Sequence, residues 1–220
     1  MEKAFNSCLG RVYPTMLTCK EDKPMKKCIS LMITLSMLLC GCAALAEDFA
    51  VSGKPDGQSD TLVAYFSSTG TTEAVAMLIA EATGADVYKI EPEVPYTDAD
   101  LNYGNDSSRA NQEMNDPASR PAIAGETLEG MDGYATLYLG YPIWWGQAPR
   151  IISTFMESYE FAGKTIIPFC TSGGSGIGGS LSGLRELAPE ATVLDGARMN
   201  RATAETVAEW LNSLDLEKAE

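Results

Sequence analysis

The 220-residue chain carries 16 Lys and Arg against 30 Asp and Glu, and no His, for a net charge of −14. That balance disfavours nucleic acids and anionic lipid surfaces as partners, and with no His available as proton donor an enzyme built on this chain would lean on Tyr or water. The length suits one domain with a real core.

The first 46 residues read as something other than that domain. Met25-Lys26-Lys27 is a basic start to an almost wholly apolar run, Cys28 to Cys40, too short for a spanning helix. Two export endings overlap after it. Leu39-Cys40-Gly41-Cys42 has the form of a lipobox, in which Cys42 is acylated and becomes the first mature residue. Ala44-Leu45-Ala46 is an A-x-A site for ordinary signal peptidase. The lipobox is the preferred reading, although Cys40 is unusual at its second position. Residues 1–24 precede a plausible start at Met25 and are set aside as an N-terminal extension. The expected location is outside the cytoplasm, either anchored through Cys42 or secreted.

From Glu47 onward, 10 Lys and Arg face 27 Asp and Glu, a net charge of −17. Five of the six cysteines lie at or before Cys42, so Cys170 has no partner for an internal disulfide and reads as a small core residue. Residues 47–60 form a polar tether rich in Gly, Ser and Asp, and the folded domain is expected over residues 61–216.

Within the domain, strand and helix alternate. Thr61 to Phe66 is a short β-rich run. The helix after it shows Val75, Leu78, Ile79 and Ala82 on one face and stops at Gly84. Asp86 to Glu91 is a second strand. The connection from Pro92 to Gly133 is too long for a bare loop, and its helix is expected at Ser107 to Asn115, capped by Asp106 or Ser107. Ala135 to Gly140 and Lys164 to Cys170 are strands separated by a helix from about Pro149 to Tyr159. A helix at Ser180 to Ala188, a strand at Ala191 to Asp195 and a last helix marked by Val207, Leu211 and Leu214 follow. Such alternation means parallel strands joined by crossover helices covering both faces of a sheet. Ligands then bind beyond the carboxyl ends of the strands.

Three strand ends carry chemistry. Ser67-Ser68-Thr69-Gly70-Thr71-Thr72 lies just before a helix N-terminus. Free backbone N–H groups, the helix dipole and side-chain hydroxyls together suit a phosphate without a cation nearby. The competing reading is an over-supplied helix cap. Pro142-Ile143-Trp144-Trp145-Gly146 puts two tryptophans in one loop, where one is expected to plug the core and the other to meet a flat partner. Thr171-Ser172-Gly173-Gly174 opens a glycine-rich turn whose backbone can approach a ligand. Gly174, Gly176 and Gly179 also fit G-x-G-x-x-G, but on the fourth strand rather than the first, so a dinucleotide site is discounted. No catalytic residue and no metal ligand is assigned.

These three loops, in this order, resemble the flavodoxin-like proteins, in particular the branch with a Trp-Trp loop, over Thr61 to Leu214; "SSRANQE" at Ser107 to Glu113 adds to the likeness. The resemblance implies a doubly wound α/β fold, a five-stranded parallel sheet in the order 2-1-3-4-5 with helices on both faces. It also implies FMN as cofactor, its phosphate on Ser67, Ser68, Thr69, Gly70, Thr71 and Thr72. Pro142 to Gly146 and Thr171 to Gly174 would then flank the ring. The expected function is an FMN flavoprotein carrying electrons outside the cytoplasm to a redox partner protein or a small-molecule electron acceptor. One alternative is an oxidoreductase passing hydride from a nicotinamide to a quinone, with Tyr103 or Arg109 lining its pocket. Another is a binding module that has lost flavin. With no Lys or Arg in the three loops, a low second reduction potential is expected.

Overall fold

The computed structural model describes residues 59–214. The extension at 1–24, the leader at 25–46 with Cys42, the tether apart from its last two residues, and residues 215 and 216 lie outside the described residues.

Five parallel strands form the main path of a six-stranded sheet, as the alternation requires. They are β1 (Thr61–Tyr65), β2 (Asp86–Lys89), β3 (Thr136–Pro142), β4 (Thr165–Thr171) and β5 (Thr192–Val193), in the order β2-β1-β3-β4-β5. The order reverses between β1 and β3, the place where doubly wound sheets open a crevice. Register carries the strands to a common end: Tyr65 lies beside Gly140, and Pro142 beside Thr171. β3 and β4 therefore run one or two residues further than the sequence suggests, and their last residues belong to the crevice.

Side chains alternate across β1, and each face has its own core. Leu62, Ala64 and Phe66 pack with Ile151, Ile152 and Phe155 of α3 (Arg150–Glu157) and Leu184 of α4 (Gly178–Leu187). Val63 and Tyr65 pack with Val75, Ala76 and Ile79 of α1 (Thr71–Thr83) and Val207 of α5 (Ala204–Ser213). Both faces are covered, which is why the strands read as near-continuous apolar runs.

Two expectations need correction. The fifth strand does not run from Ala191 to Asp195. It is Thr192–Val193 only, and a further strand, β6 (Ala197–Arg198), pairs with β4 after a break. Between the paired rungs Ile166↔Val193 and Phe169↔Ala197, two residues of β4 face three of the edge chain. One of the two is Pro168, which has no N–H to give to a neighbouring strand. The edge bulges there and then resumes. The helix of the long connection, α2, is Arg109–Asn115 with Ser108 at its N-cap, not Asp106 or Ser107, and no side chain caps it. Around it the connection wraps the surface, held by a Pro92–Ile123 bridge and by Arg120, whose guanidinium donates to both oxygens of Glu157 at 2.7 Å.

Candidate functional site

The three loops meet at the carboxyl end of the sheet and wall a continuous trough. At one end a cavity of about 380 Å³ is lined by Ser67, Ser68, Thr69 and Thr72, with Asp98 and Trp144. It shares Thr69 and Pro142 with a cavity of about 390 Å³ that runs along Ile143 and Thr171 to Gly173. That one shares Ile143, Ser172 and Gly173 with a third, of about 480 Å³, bounded by Trp145, Gly146 and Gly174. Tyr103, from the long connection, borders all three.

At the first loop, Gly70 ends the turn with φ +82°, a left-handed conformation that a β-carbon disfavours, and α1 begins at Thr71. No side chain caps that helix, so its first-turn N–H groups are left for something else. The hydroxyls differ in what they do. Thr69 and Thr71 lie exposed with their oxygens 3.3 Å apart. Thr72 is buried, and its hydroxyl shares a 2.8 Å hydrogen bond with Thr171, tying the first loop to β4 while still forming part of the cavity wall. Ser67 Oγ and Ser68 Oγ are buried and have no hydrogen-bond partner.

The two tryptophans divide the work. Trp144 is 2% exposed and meets Phe66 and Tyr96 edge-on, with ring centres 5.6 and 5.1 Å apart. It plugs the core below the trough. Trp145 is 63% exposed, an unusual state for a side chain that offers so much apolar surface. Its backbone is left-handed, φ 50°, and its ring N–H donates to Asn111 Oδ1 at 2.6 Å. Asn111, buried on α2, also donates to the carbonyls of Tyr103 and Asn105. One amide thus fixes the exposed ring and the Tyr103 wall together.

The glycine-rich turn is gripped from the sheet edge. Asn200 Oδ1 accepts from Ser172 N–H at 2.9 Å while its amide donates to the Ser172 carbonyl. Arg198 donates to the Gly174 carbonyl at 2.9 Å. The G-x-G-x-x-G pattern has another explanation: a β-carbon on Gly179 would overlap the carbonyl oxygen of Gly146, so this glycine lets α4 pack on the Trp-Trp loop.

Of the two pocket candidates from the long connection, Tyr103 lines the trough and Arg109 does not. Arg109 lies over the Tyr96 ring at 3.9 Å and donates to Glu113 at 2.6 Å, and Glu113 also accepts from the Tyr96 hydroxyl. Burial and the Glu113 carboxylate raise the Tyr96 phenol far above its ordinary pKa, so it stays neutral. Burial also raises the Tyr103 phenol. Asn111, Asn200 and Arg201 escape a reading of the sequence. The last two follow β6, a strand too short to announce itself, although looking beyond every strand end would have reached them. No group of three or more His, Cys, Asp and Glu able to hold a metal ion occurs among the described residues.

The flavodoxin family model matches residues 60–214. Two solved structures of candidate flavoproteins are similar at 47% identity. The one from Bacteroides uniformis ATCC 8492 aligns over 71% of this chain and 99% of its own, with a TM-score of 0.68. The one from Bacteroides eggerthii DSM 20697 aligns over 69% and 95%, with a TM-score of 0.66. A flavoprotein from Lactobacillus acidophilus NCFM, solved in complex with FMN, shares the fold at 22% identity over 69% of this chain and 97% of its own, with a TM-score of 0.53. No curated protein matches. A family match across nearly all the described residues, on a sheet of this order with its crevice at this point, means that the chain belongs to the flavodoxin family.

Proposed function

We propose that the trough holds FMN and that the protein carries electrons outside the cytoplasm. The observation that carries the flavin reading is the pair of buried hydroxyls, Ser67 Oγ and Ser68 Oγ, left without partners beside an uncapped helix N-terminus. A buried hydroxyl without a partner costs about 1–3 kcal/mol, so two of them side by side suit a ligand rich in acceptor oxygens. A phosphate is such a ligand, and the helix N-terminus favours its charge.

The residues divide into three tasks. Ser67 to Thr72 would hold the phosphate through hydroxyls and the first N–H groups of α1. Pro142, Ile143 and Thr171 to Gly173 line the middle of the trough and would border the polyol and the ring. Trp145 and Gly146 line the third cavity together with Ser172 to Gly174, and a flat ring system there would find an aromatic side chain and backbone polar groups. When bound, the flavin supplies the capacity to accept and release electrons; the protein sets its orientation, its solvation and the charge around it. The chain's own part is to keep water from one side with Trp144 and Tyr96 and to hold Trp145 still through Asn111.

The extracytoplasmic part rests on the leader at residues 25–46, with Cys42 as the residue to be acylated and the tether at 47–60 as spacer. A basic surface would suit the redox partner of so acidic a body. The visible spectrum of the purified full chain tests the flavin reading: flavin bands, or their appearance on adding FMN, are expected, and a preparation that stays colourless overturns it. Fractionation of cells expressing the chain and its Cys42→Ser variant tests the anchor. Membrane association that is unchanged by the substitution overturns acylation at Cys42.

A further inference from the structure

Eight Lys and Arg side chains occur among the described residues, and seven are committed. Lys89 pairs with Glu91 at 3.0 Å, Arg109 with Glu113 at 2.6 Å, Arg120 with Glu157 at 2.7 Å and Arg185 with Asp195 at 2.8 Å. Arg150 donates to the Met114 carbonyl, Lys164 to the Tyr134 carbonyl and Arg198 to the Gly174 carbonyl. Arg201 alone has no hydrogen bond or ion pair among the described residues, in a chain whose net charge is −14. Its side chain is exposed, so water can satisfy it, and its place on the molecule rather than its lack of a partner is what matters. It lies on the wall of the middle cavity together with Thr69 and Thr71, the exposed hydroxyls of the first loop.

Its backbone is also unusual. Arg201 has φ 53°, one of two non-glycine residues in the left-handed region among those described. A side chain disfavours that conformation, which persists only where the surroundings impose it. Here the surroundings are visible: Asn200 is clamped to both backbone groups of Ser172, and Thr203 caps α5 two residues later. The connection is thus held in a conformation that brings Arg201 to the trough. The charges along the trough complete the picture. The three cavities are lined by two charged residues, Arg201 and Asp98, while a fourth that shares Ser67 and Ser68 adds Glu91, Glu93 and a Lys89 already paired with Glu91; Asp98 stands at the phosphate end, where it would repel an anion.

We infer that Arg201 is an anion-binding residue of the trough, a guanidinium that pairs with the ligand's phosphomonoester and offsets Asp98. This rests on the flavin reading above and amends the expectation of a cation-free phosphate site. The hydroxyls and N–H groups shape the site, and the sheet edge, not the first loop, brings the counter-charge. A guanidinium is suited to phosphate oxygens because its donors form a planar fork.

The test compares FMN with riboflavin, which lacks the phosphate, by quenching of flavin fluorescence on the full chain stripped of endogenous flavin. R201N removes the charge and tolerates the left-handed backbone; R201K keeps the charge. R201N should bind FMN about tenfold more weakly at low salt and riboflavin unchanged, R201K should recover most of the loss, and the gap should close toward 0.5 M salt as the Debye length falls from about 30 Å at 0.01 M to roughly 4 Å. The melting temperature of flavin-free R201N should equal or exceed that of the parent, which a merely structural arginine would not give. Equal loss for FMN and riboflavin, or no loss for either, overturns the role of Arg201 while leaving the flavin site standing. A parent chain that binds neither flavin overturns the flavin reading and this one with it.

Discussion

Replacing Ser67 or Ser68 by alanine should stabilise the flavin-free protein and weaken its hold on FMN, two effects of opposite sign from one atom. Both hydroxyl oxygens are buried without partners. Leaving a buried hydroxyl unsatisfied costs about 1–3 kcal/mol. Removing one such group from a domain of this size raises the melting temperature by about 2–4 °C per kcal/mol. A hydrogen bond to a charged group is worth about 1.5–3 kcal/mol. At about 1.4 kcal/mol per decade, each alanine should therefore weaken FMN binding roughly 10- to 150-fold. Calorimetric melting of the flavin-free chain gives the first number and fluorescence titration the second. Alanine variants that melt lower than the parent and bind FMN equally well would mean that these hydroxyls belong to the turn and not to a ligand site.

Trp144→Ala should cost about 3–5 kcal/mol in denaturant unfolding because it empties a core position, whereas Trp145→Ala, at 63% exposure, should leave the midpoint almost unmoved and shift the bound flavin's spectrum. Similar midpoints for the two would refute the division between plug and platform. The second one-electron potential of bound FMN should lie below that of the free cofactor, since the three loops carry no Lys or Arg, the chain is strongly acidic, and Arg201 is engaged by the phosphate in the reading above; spectroelectrochemistry that puts it at or above the free value would overturn this. Burial pushes the Cys170 thiol up to about 12, past the relief given by Arg198. The folded state favours the protonated thiol, so this contribution to stability is whole below the unfolded thiol's value of about 8.5 and is lost as pH rises from there toward 12. Peptide mapping after alkylation at pH 8 should find Cys170 unlabelled until denaturant is added, and prompt labelling of the native chain would refute its burial.

Much of the molecule was legible from local pattern. Continuous apolar runs at β1, β3 and β4, with helical periodicity between them, required a parallel sheet covered on both faces. A cluster of hydroxyls and glycine where β1 gives way to α1 marked the uncapped helix start that lines one end of the trough, because the missing partners of a first helical turn belong to the chain's local geometry. Two tryptophans in one loop already implied different fates.

Which tryptophan plugs the core and which stays exposed was decided only in three dimensions, by the packing of Phe66 and Tyr96 from distant segments and by Asn111 on α2. The same holds for the charge at the site. Arg201 lies more than 120 residues from the hydroxyl loop, at the end of an edge strand broken opposite Pro168, and no spacing rule connects the two. Periodicity records what each residue does for its own helix or strand, whereas a site assembled from several strand ends depends on register, on crossing order and on which loop is clamped to which, and these exist only once the chain has folded.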